Sequence, residues 1–242
     1  MKLAALVLAA LALTACESNQ ERSAKLEQAA KRHSHEVGRQ QAVAQRALDI
    51  KQVSTKIKVT SAAVVHTTQG AAALLTLRNT SGVALRDVPI QINVVDAHGR
   101  SLFKNDSAGT SATLVSAALV PAHGVISWID DQVDASGGVP ASVVATVGEG
   151  TPTSGTVPQL QVHGGHLAEA GEAEGSVANH SRVNQRELVV YAVARKGTTV
   201  VAAGRAVLPN AAAGGSTPFQ VYFVGNPSGA RIDYSAPATS AG

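Results

Sequence analysis

From Ile57 to the end, the chain is built of short apolar runs rich in Val, Ile and Leu, interrupted by Gly, Pro, Asn and Asp. The segments KIKVTSAAVVHT, AALLTLRN, VPIQINVVDA, ATLVSAALV, VISWID and ASVVATV each read as one strand. Apolar and polar positions alternate clearly through Ile90-Gln91-Ile92-Asn93-Val94, as in a strand with one face buried and one wet. Asp96-Ala97-His98-Gly99 is a tight-turn signal ahead of a short strand through Leu102 and Phe103, and Pro121-Ala122-His123-Gly124 is another. No stretch of this region has helical length and period, which argues against alternating βαβ units and their dinucleotide crevice. The pattern predicts an all-β fold of antiparallel sandwiches.

The pattern then restarts. Asn79-Thr80-Ser81 aligns with Asn179-His180-Ser181, and Arg86-Asp87-Val88-Pro89-Ile90 with Arg186-Glu187-Leu188-Val189-Val190, both at an offset of one hundred. With two residues deleted, Asp96 to Gly99 meets Ala194 to Gly197. Further on, Gly124 to Trp128 can be set against Gly215 to Phe219. Between the copies, GEGTPTSGTVP is dense in Gly, Pro, Ser and Thr and reads as a linker. The expected layout is two tandem small immunoglobulin-like sandwiches at 57–147 and 159–235, a linker at 148–158 and a flexible tail at 236–242.

The first 56 residues follow different rules. Leu3 to Leu13 is an unbroken apolar run behind Lys2, and small residues follow at Thr14 and Ala15, which is the plan of a secretory signal over 1–15. The run is about half the roughly 20 residues that a membrane-spanning helix needs. Gln20 to Gln52 is rich in Ala, Gln, Glu, Lys and Arg, lacks Pro and has one Gly, at position 38. Those residues favour helix. Leu26, Ala30, His33, Val37, Ala44 and Leu48 fall near one face, but His33 and Gly38 interrupt it. A frayed or solvated helical stem over 16–56 is therefore expected rather than a coiled coil.

Leu13-Thr14-Ala15-Cys16 resembles the lipobox of bacterial lipoproteins. That resemblance implies diacylglyceryl transfer to the Cys16 thiol, cleavage before it and acylation of the new amino terminus. Two or more acyl chains hold a protein stably where one is marginal. Cys16 is the only cysteine, so the mature chain cannot form an internal disulfide.

The Asn-x-Ser turn, the alternating strand and the Asp-x-x-Gly turn together resemble the FxLYD family of bacterial envelope domains, small immunoglobulin-like sandwiches often carried on lipoproteins. The family's signature maps onto Ile92-Asn93-Val94-Val95-Asp96, which keeps the apolar pattern and the Asp and loses both aromatics. In the second copy it maps onto Val190-Tyr191-Ala192-Val193-Ala194, which loses the Asp as well. The resemblance implies architecture and an envelope location, and no catalytic residues.

Charge sharpens the picture. Net charge is +3, yet Glu17 to Lys58 carries nine Lys/Arg against five Asp/Glu, while Val59 to Gly242 carries ten against twelve. A basic stem next to a lipid anchor is drawn to anionic headgroups within a Debye length. No Phe, Tyr or Trp precedes Phe103, so the interleaved aromatic and basic residues of a nucleic-acid surface are missing.

Candidate chemistry is sparse. His33 and His35, two apart, point in different directions on a helix. His163 and His166 could offer two imidazoles to a metal, but Gly164 and Gly165 between them preorganise nothing, and they read as structural or solvated. Asp130, Asp131 and Asp134 could hold a hard cation but lack the ligand spacing of an EF-hand, and read as a polar strand end. No nucleophile elbow, zincin helix or phosphate-binding loop occurs. The Asn-x-Ser/Thr triplets at Asn79, Asn105 and Asn179 read as turns. Met1 is the sole methionine, which argues against soft-metal carriage.

The expectation is a lipid-anchored, non-enzymatic module facing outside the cytoplasm, without cofactor or metal, that meets an envelope protein or wall polymer. A solute- or metal-handling lipoprotein is the second possibility.

Overall fold

The computed structural model describes residues 18–37, 48–169 and 171–242, with side chains of the first helix described through residue 29. The signal segment, Leu13, Thr14, Ala15 and Cys16, together with His33 and His35 as side chains, lie outside the described residues.

Helix α1 spans Asn19–Val37. The strands of the first sandwich are β1 (Ile57–Thr67), β2 (Gly70–Asn79), β3 (Ala84–Val95), β4 (Ser101–Lys104), β5 (Ser116–Val120), β6 (Val125–Val133), β7 (Ser142–Val147) and β8 (Thr151–Thr153), with one helical turn, α2 (Ala112–Val115), before β5. Those of the second are β9 (Gln161–Leu167), β10 (Ala173–Ala178), β11 (Gln185–Lys196), β12 (Thr199–Ala211), β13 (Ser216–Val221), β14 (Val224–Gly225) and β15 (Arg231–Ser235). The fold is all-β, and every strand pairing described is antiparallel.

In the first sandwich, the sheet β1-β2-β6 faces one centred on β3, whose first half pairs with β5 and β8 and whose second half pairs with β4 and β7. In the second, β9-β10-β13 faces β14-β12-β11-β15. Trp128 is fully buried in the first core and donates its indole N–H to Ser116 O across the sandwich at 3.3 Å. Phe219, Phe223 and Leu188 fill the second, where the Phe219 and Tyr234 rings meet at 5.8 Å.

Residues one hundred apart build the same turn. Asn79 Nδ2 donates to Val83 O and Val120 O, and Asn179 Nδ2 to Val183 O and Ala211 O. Each Asn Oδ1 accepts the backbone N–H and the hydroxyl of the Ser two residues on, Ser81 or Ser181. Both asparagines are completely buried. An Asn at this place satisfies backbone groups that the strands leave open, which Ala could not do. The correspondence extends to backbone strain, since Asp87 and Glu187 adopt left-handed φ values of 53° and 48°.

Four sequence expectations are corrected. ATLVSAALV is two elements, because its first half closes into α2 and only Ser116–Val120 pairs with β3. Asn105 is no turn residue: it sits buried where β4 ends and β5 begins. There its Nδ2 donates to Ile90 O and Leu114 O, and its Oδ1 accepts Ile92 N–H at 2.8 Å. The 148–158 segment is not a free spacer, because β8 extends the β3 sheet and Thr156 exchanges two backbone bonds with Gly242. Gly150 permits this path, since a Cβ there would fall 2.6 Å from Val88 Cγ2. The tail is likewise held: Ala236 and Ala238 are buried, and Gln185 Oε1 accepts the N–H groups of Thr239 and Ser240 at 2.7 and 3.0 Å.

Candidate functional site

The two inner sheets lie against each other. On β11, Leu188, Val190, Ala192 and Ala194 fill the second core, while the alternate residues Val189, Tyr191 and Val193 join the hydrophobic cluster of the first. β2 is buried on both faces from Ala71 to Leu75 for the same reason. The seam is thus an apolar contact between sheet faces, closed by the period of two in each strand.

Into this seam α1 inserts a polar face. Ser18 and Glu21 form a reciprocal cap, in which Ser18 N–H donates to Glu21 Oε2 at 2.9 Å and Glu21 N–H to Ser18 Oγ at 3.2 Å. That capping bond from the Ser18 backbone, aided by the Ser18 hydroxyl, holds the Glu21 carboxyl below its usual range. Asn19 Nδ2 then donates to Phe223 O in the second sandwich, and Gln20 Nε2 to Val133 O in the first. One turn further, Ser23 and Glu27 are buried, whereas Leu26 is 46% exposed. Over residues 18–29 the stem is therefore docked along one polar face rather than solvated on all sides, and the stripe through Leu26 is not the docking face.

What buries Glu27 is Arg205 on β12. Its guanidinium is 1% exposed; Nη2 is ion-paired to Glu27 Oε2, Nε donates to Asp131 Oδ1 at 3.0 Å, and Nη1 donates to Thr113 Oγ1 at 3.0 Å. Glu27 also receives Gln132 Nε2 at 2.8 Å and the Thr113 hydroxyl at 3.1 Å, and Ser23 Oγ donates to Asp131 Oδ2 at 2.6 Å. One arginine thus joins the stem, the first sandwich and the second. The fork geometry of guanidinium suits this, because each nitrogen reaches a separate partner in a fixed plane. Gly204 precedes it because a Cβ there would collide with Tyr222 O.

Asp131 faces the seam through a bulge in β6, where Ala71 pairs with Val133 and Ala73 with Asp130, so that Asp131 and Gln132 together oppose Ala72. Asp130 and Asp131 are therefore not a polar strand end: both are 1% exposed. Asp134 alone is peripheral, its Oδ1 accepting Ser136 N–H in a local turn that lowers its pKa.

The cluster has unequal electrostatics. Burial opposes the charge on Arg205, but the carboxylates of Asp131 and Glu27 outweigh it and raise its pKa. Burial pushes the Asp130 carboxyl up to about 7, against the opposing pull of the Gln132 N–H and Arg205. Burial also raises the pKa of the Tyr191 hydroxyl. An unfolded aspartate titrates near ~3.9. Between about pH 4 and 7 the folded protein then holds a proton at Asp130 that the unfolded chain has released, so this carboxyl's contribution to stability falls as pH rises through that window. Asp130→Asn keeps the Gln132 bond and removes the titration. Relative to wild type it is expected to gain up to a few kcal/mol between about pH 4 and pH 8 in denaturant melts. A wild-type-to-variant difference independent of pH would count against this assignment.

Beside the cluster lies a cleft of about 230 Å³, floored by Ala117, Ile126, Val189 and Tyr191 and rimmed by Asp87 and Glu187. His163 and His166 stand away from it on β9, both exposed, with His166 Nδ1 bonded to Gly164 O at 2.9 Å. Among the described residues no group of three or more His, Cys, Asp or Glu side chains is placed to hold a metal ion, and no helix is long and apolar enough to cross a membrane. Sequence reasoning missed Arg205 and Glu27. The available signal was a single charge inside the apolar strand Val200 to Leu208.

No family model matches the chain, and no curated protein matches it. Among solved structures, the chain is similar to the crystal structure of red sea bream transglutaminase at 13% identity and a TM-score of 0.20. The match covers 76% of this chain and 29% of the transglutaminase chain.

Proposed function

We propose that this protein is a lipid-anchored, non-catalytic module of the cell envelope, tethered through Cys16 and presenting two fused immunoglobulin-like sandwiches to an envelope protein or wall polymer. The observation that carries the reading is the seat of α1. The helix starts three residues after the lipobox cysteine and is locked by Ser23 and Glu27 to both sandwiches, so a tether at Cys16 bears on the whole body. Antiparallel sandwiches offer edges and end loops to a macromolecular partner without needing a pocket. The resemblance of the two strand-and-turn units to FxLYD domains points the same way. The seam cleft favours a second reading, solute binding, which a thermal-shift screen against small polar and amphipathic solutes would support by a saturable rise in melting temperature.

The test is substitution of the anchor. Cys16→Ser is expected to leave the protein unprocessed or to move it from the membrane fraction to the soluble one, with its melting temperature unchanged once processed. A variant anchored and cleaved like the wild type would overturn the proposal.

A further inference from the structure

We infer that the anchored protein stands on the bilayer by one defined end, formed by the Thr67–Gly70 turn, the loop from Asp134 to Ala141 and the Phe223–Gly225 segment. The opposite end, which carries the two Asn-x-Ser turns, is then directed away. The inference rests on the lipidation proposed above and adds the orientation that lipidation alone does not give.

The strand registers define the two ends. β1 and β2 meet at Thr67↔Gly70 and part at Ile57↔Asn79, and Ala71 lies opposite Val133 on β6. The Thr67–Gly70 turn and the β6–β7 loop therefore share one end, and Asn79 lies at the other. In the second sandwich, Val224 and Gly225 pair with Ala203 and Ala202 near the start of β12, whereas Asn179 bonds Ala211 at its end. Helix α1 fixes how the sandwiches are matched, because Asn19 holds Phe223 O and the next residue, Gln20, holds Val133 O. The first end of each sandwich thus lies at the helix amino terminus. An 11-residue strand at ~3.3 Å per residue separates the two ends by about 35 Å.

From Cys16 to Asn19 is three residues of chain, which reach about 10 Å at most whatever their conformation. The helix cannot swing outward to lengthen this tether while Ser23 and Glu27 remain in the Arg205 cluster. A lipid on Cys16 consequently brings the near end to the headgroups and leaves the far end out of reach. The near end also bears Val139, 67% exposed, on a hollow that it shares with Gln20 and the Thr67–Gly70 turn. An exposed valine there fits the boundary between headgroups and acyl chains.

The test uses the purified lipoprotein reconstituted in vesicles of phosphatidylethanolamine and phosphatidylglycerol doped with a nickel-chelating lipid. Acylated Cys16 does not take a thiol label, so Val139→Cys and Ala213→Cys can each carry one nitroxide. Gln69→Cys, on the neighbouring turn, serves as a second reporter of the near end. Nickel is expected to speed relaxation strongly at Val139→Cys and Gln69→Cys and to leave Ala213→Cys as in nickel-free vesicles. Equal or reversed relaxation, with acyl chains found on Cys16 by mass spectrometry, overturns the orientation and leaves the proposed anchoring intact. Absence of acyl mass on Cys16 overturns both.

Discussion

Arg205→Ala is expected to destabilise the protein by about 3–5 kcal/mol, because removing one partner of a buried ion cluster strands the others without water. Glu27 and Asp131 are 6% and 1% exposed at their side chains, and in the variant each would stay buried as an uncompensated charge, take up a proton, or leave. Leaving is the cheapest route for Glu27, since it sits on a helix that can undock, whereas Asp131 is held in strand β6, which pairs with β2 on either side of its bulge. Two readouts should therefore move together. The melting temperature should fall by about 10 °C, given ~2–4 °C per kcal/mol for a chain of this size. Trypsin should also cut at Arg22 and Lys25, which the docked helix protects. Arg205→Lys should recover only part of the loss, because an ammonium cannot meet Asp131, Glu27 and Thr113 from three separated nitrogens in a plane. If Arg205→Ala melted within ~1 kcal/mol of wild type with Arg22 and Lys25 still resistant to cleavage, as for a weak surface pair, the cluster would not be what joins the three parts.

Asn105→Ala is expected to cost a comparable amount, about 3–5 kcal/mol, through backbone groups. Its side chain is 1% exposed and bonds Ile90 O and Ile92 N–H, which β3 leaves open between its pairings with β5 and β4, and Leu114 O at the end of the helical turn α2. Each buried polar group left unpaired costs ~1–3 kcal/mol, and entry of water into the gap would return part of it. Asn105→Asp separates the contributions, since a carboxylate still accepts from Ile92 N–H but cannot donate to the two carbonyls. It should be at least as damaging as Ala at pH 7 and should improve on acidification, when one oxygen gains a proton. Chemical denaturation of both variants decides the matter, and a loss below ~1 kcal/mol for Asn105→Ala would show that the open backbone groups find other partners.

The chain by itself determined the parts whose causes are local. Strand period, β-branched content and turn residues specify the sandwiches, because alternation and turn chemistry act over a few residues. The Asn79 and Asn179 turns are nearly self-contained within five residues, which is why the offset of one hundred between them was visible in the letters. The contiguous apolar runs Ala71 to Leu75 and Leu188 to Ala194 carried a signal that reading them as ordinary sandwich strands left unused, since both faces of β2 and β11 are buried. What only the tertiary structure decided is the joining. Arg205 meets Asp131, Thr113 and Glu27 across 74, 92 and 178 residues of chain, and no periodicity encodes such a pairing. The stem misleads when read alone, since its helix buries Ser23 and Glu27 and exposes Leu26. A polar face becomes a docking face only when a buried cation waits for it, and that cation is supplied by a strand of the other sandwich.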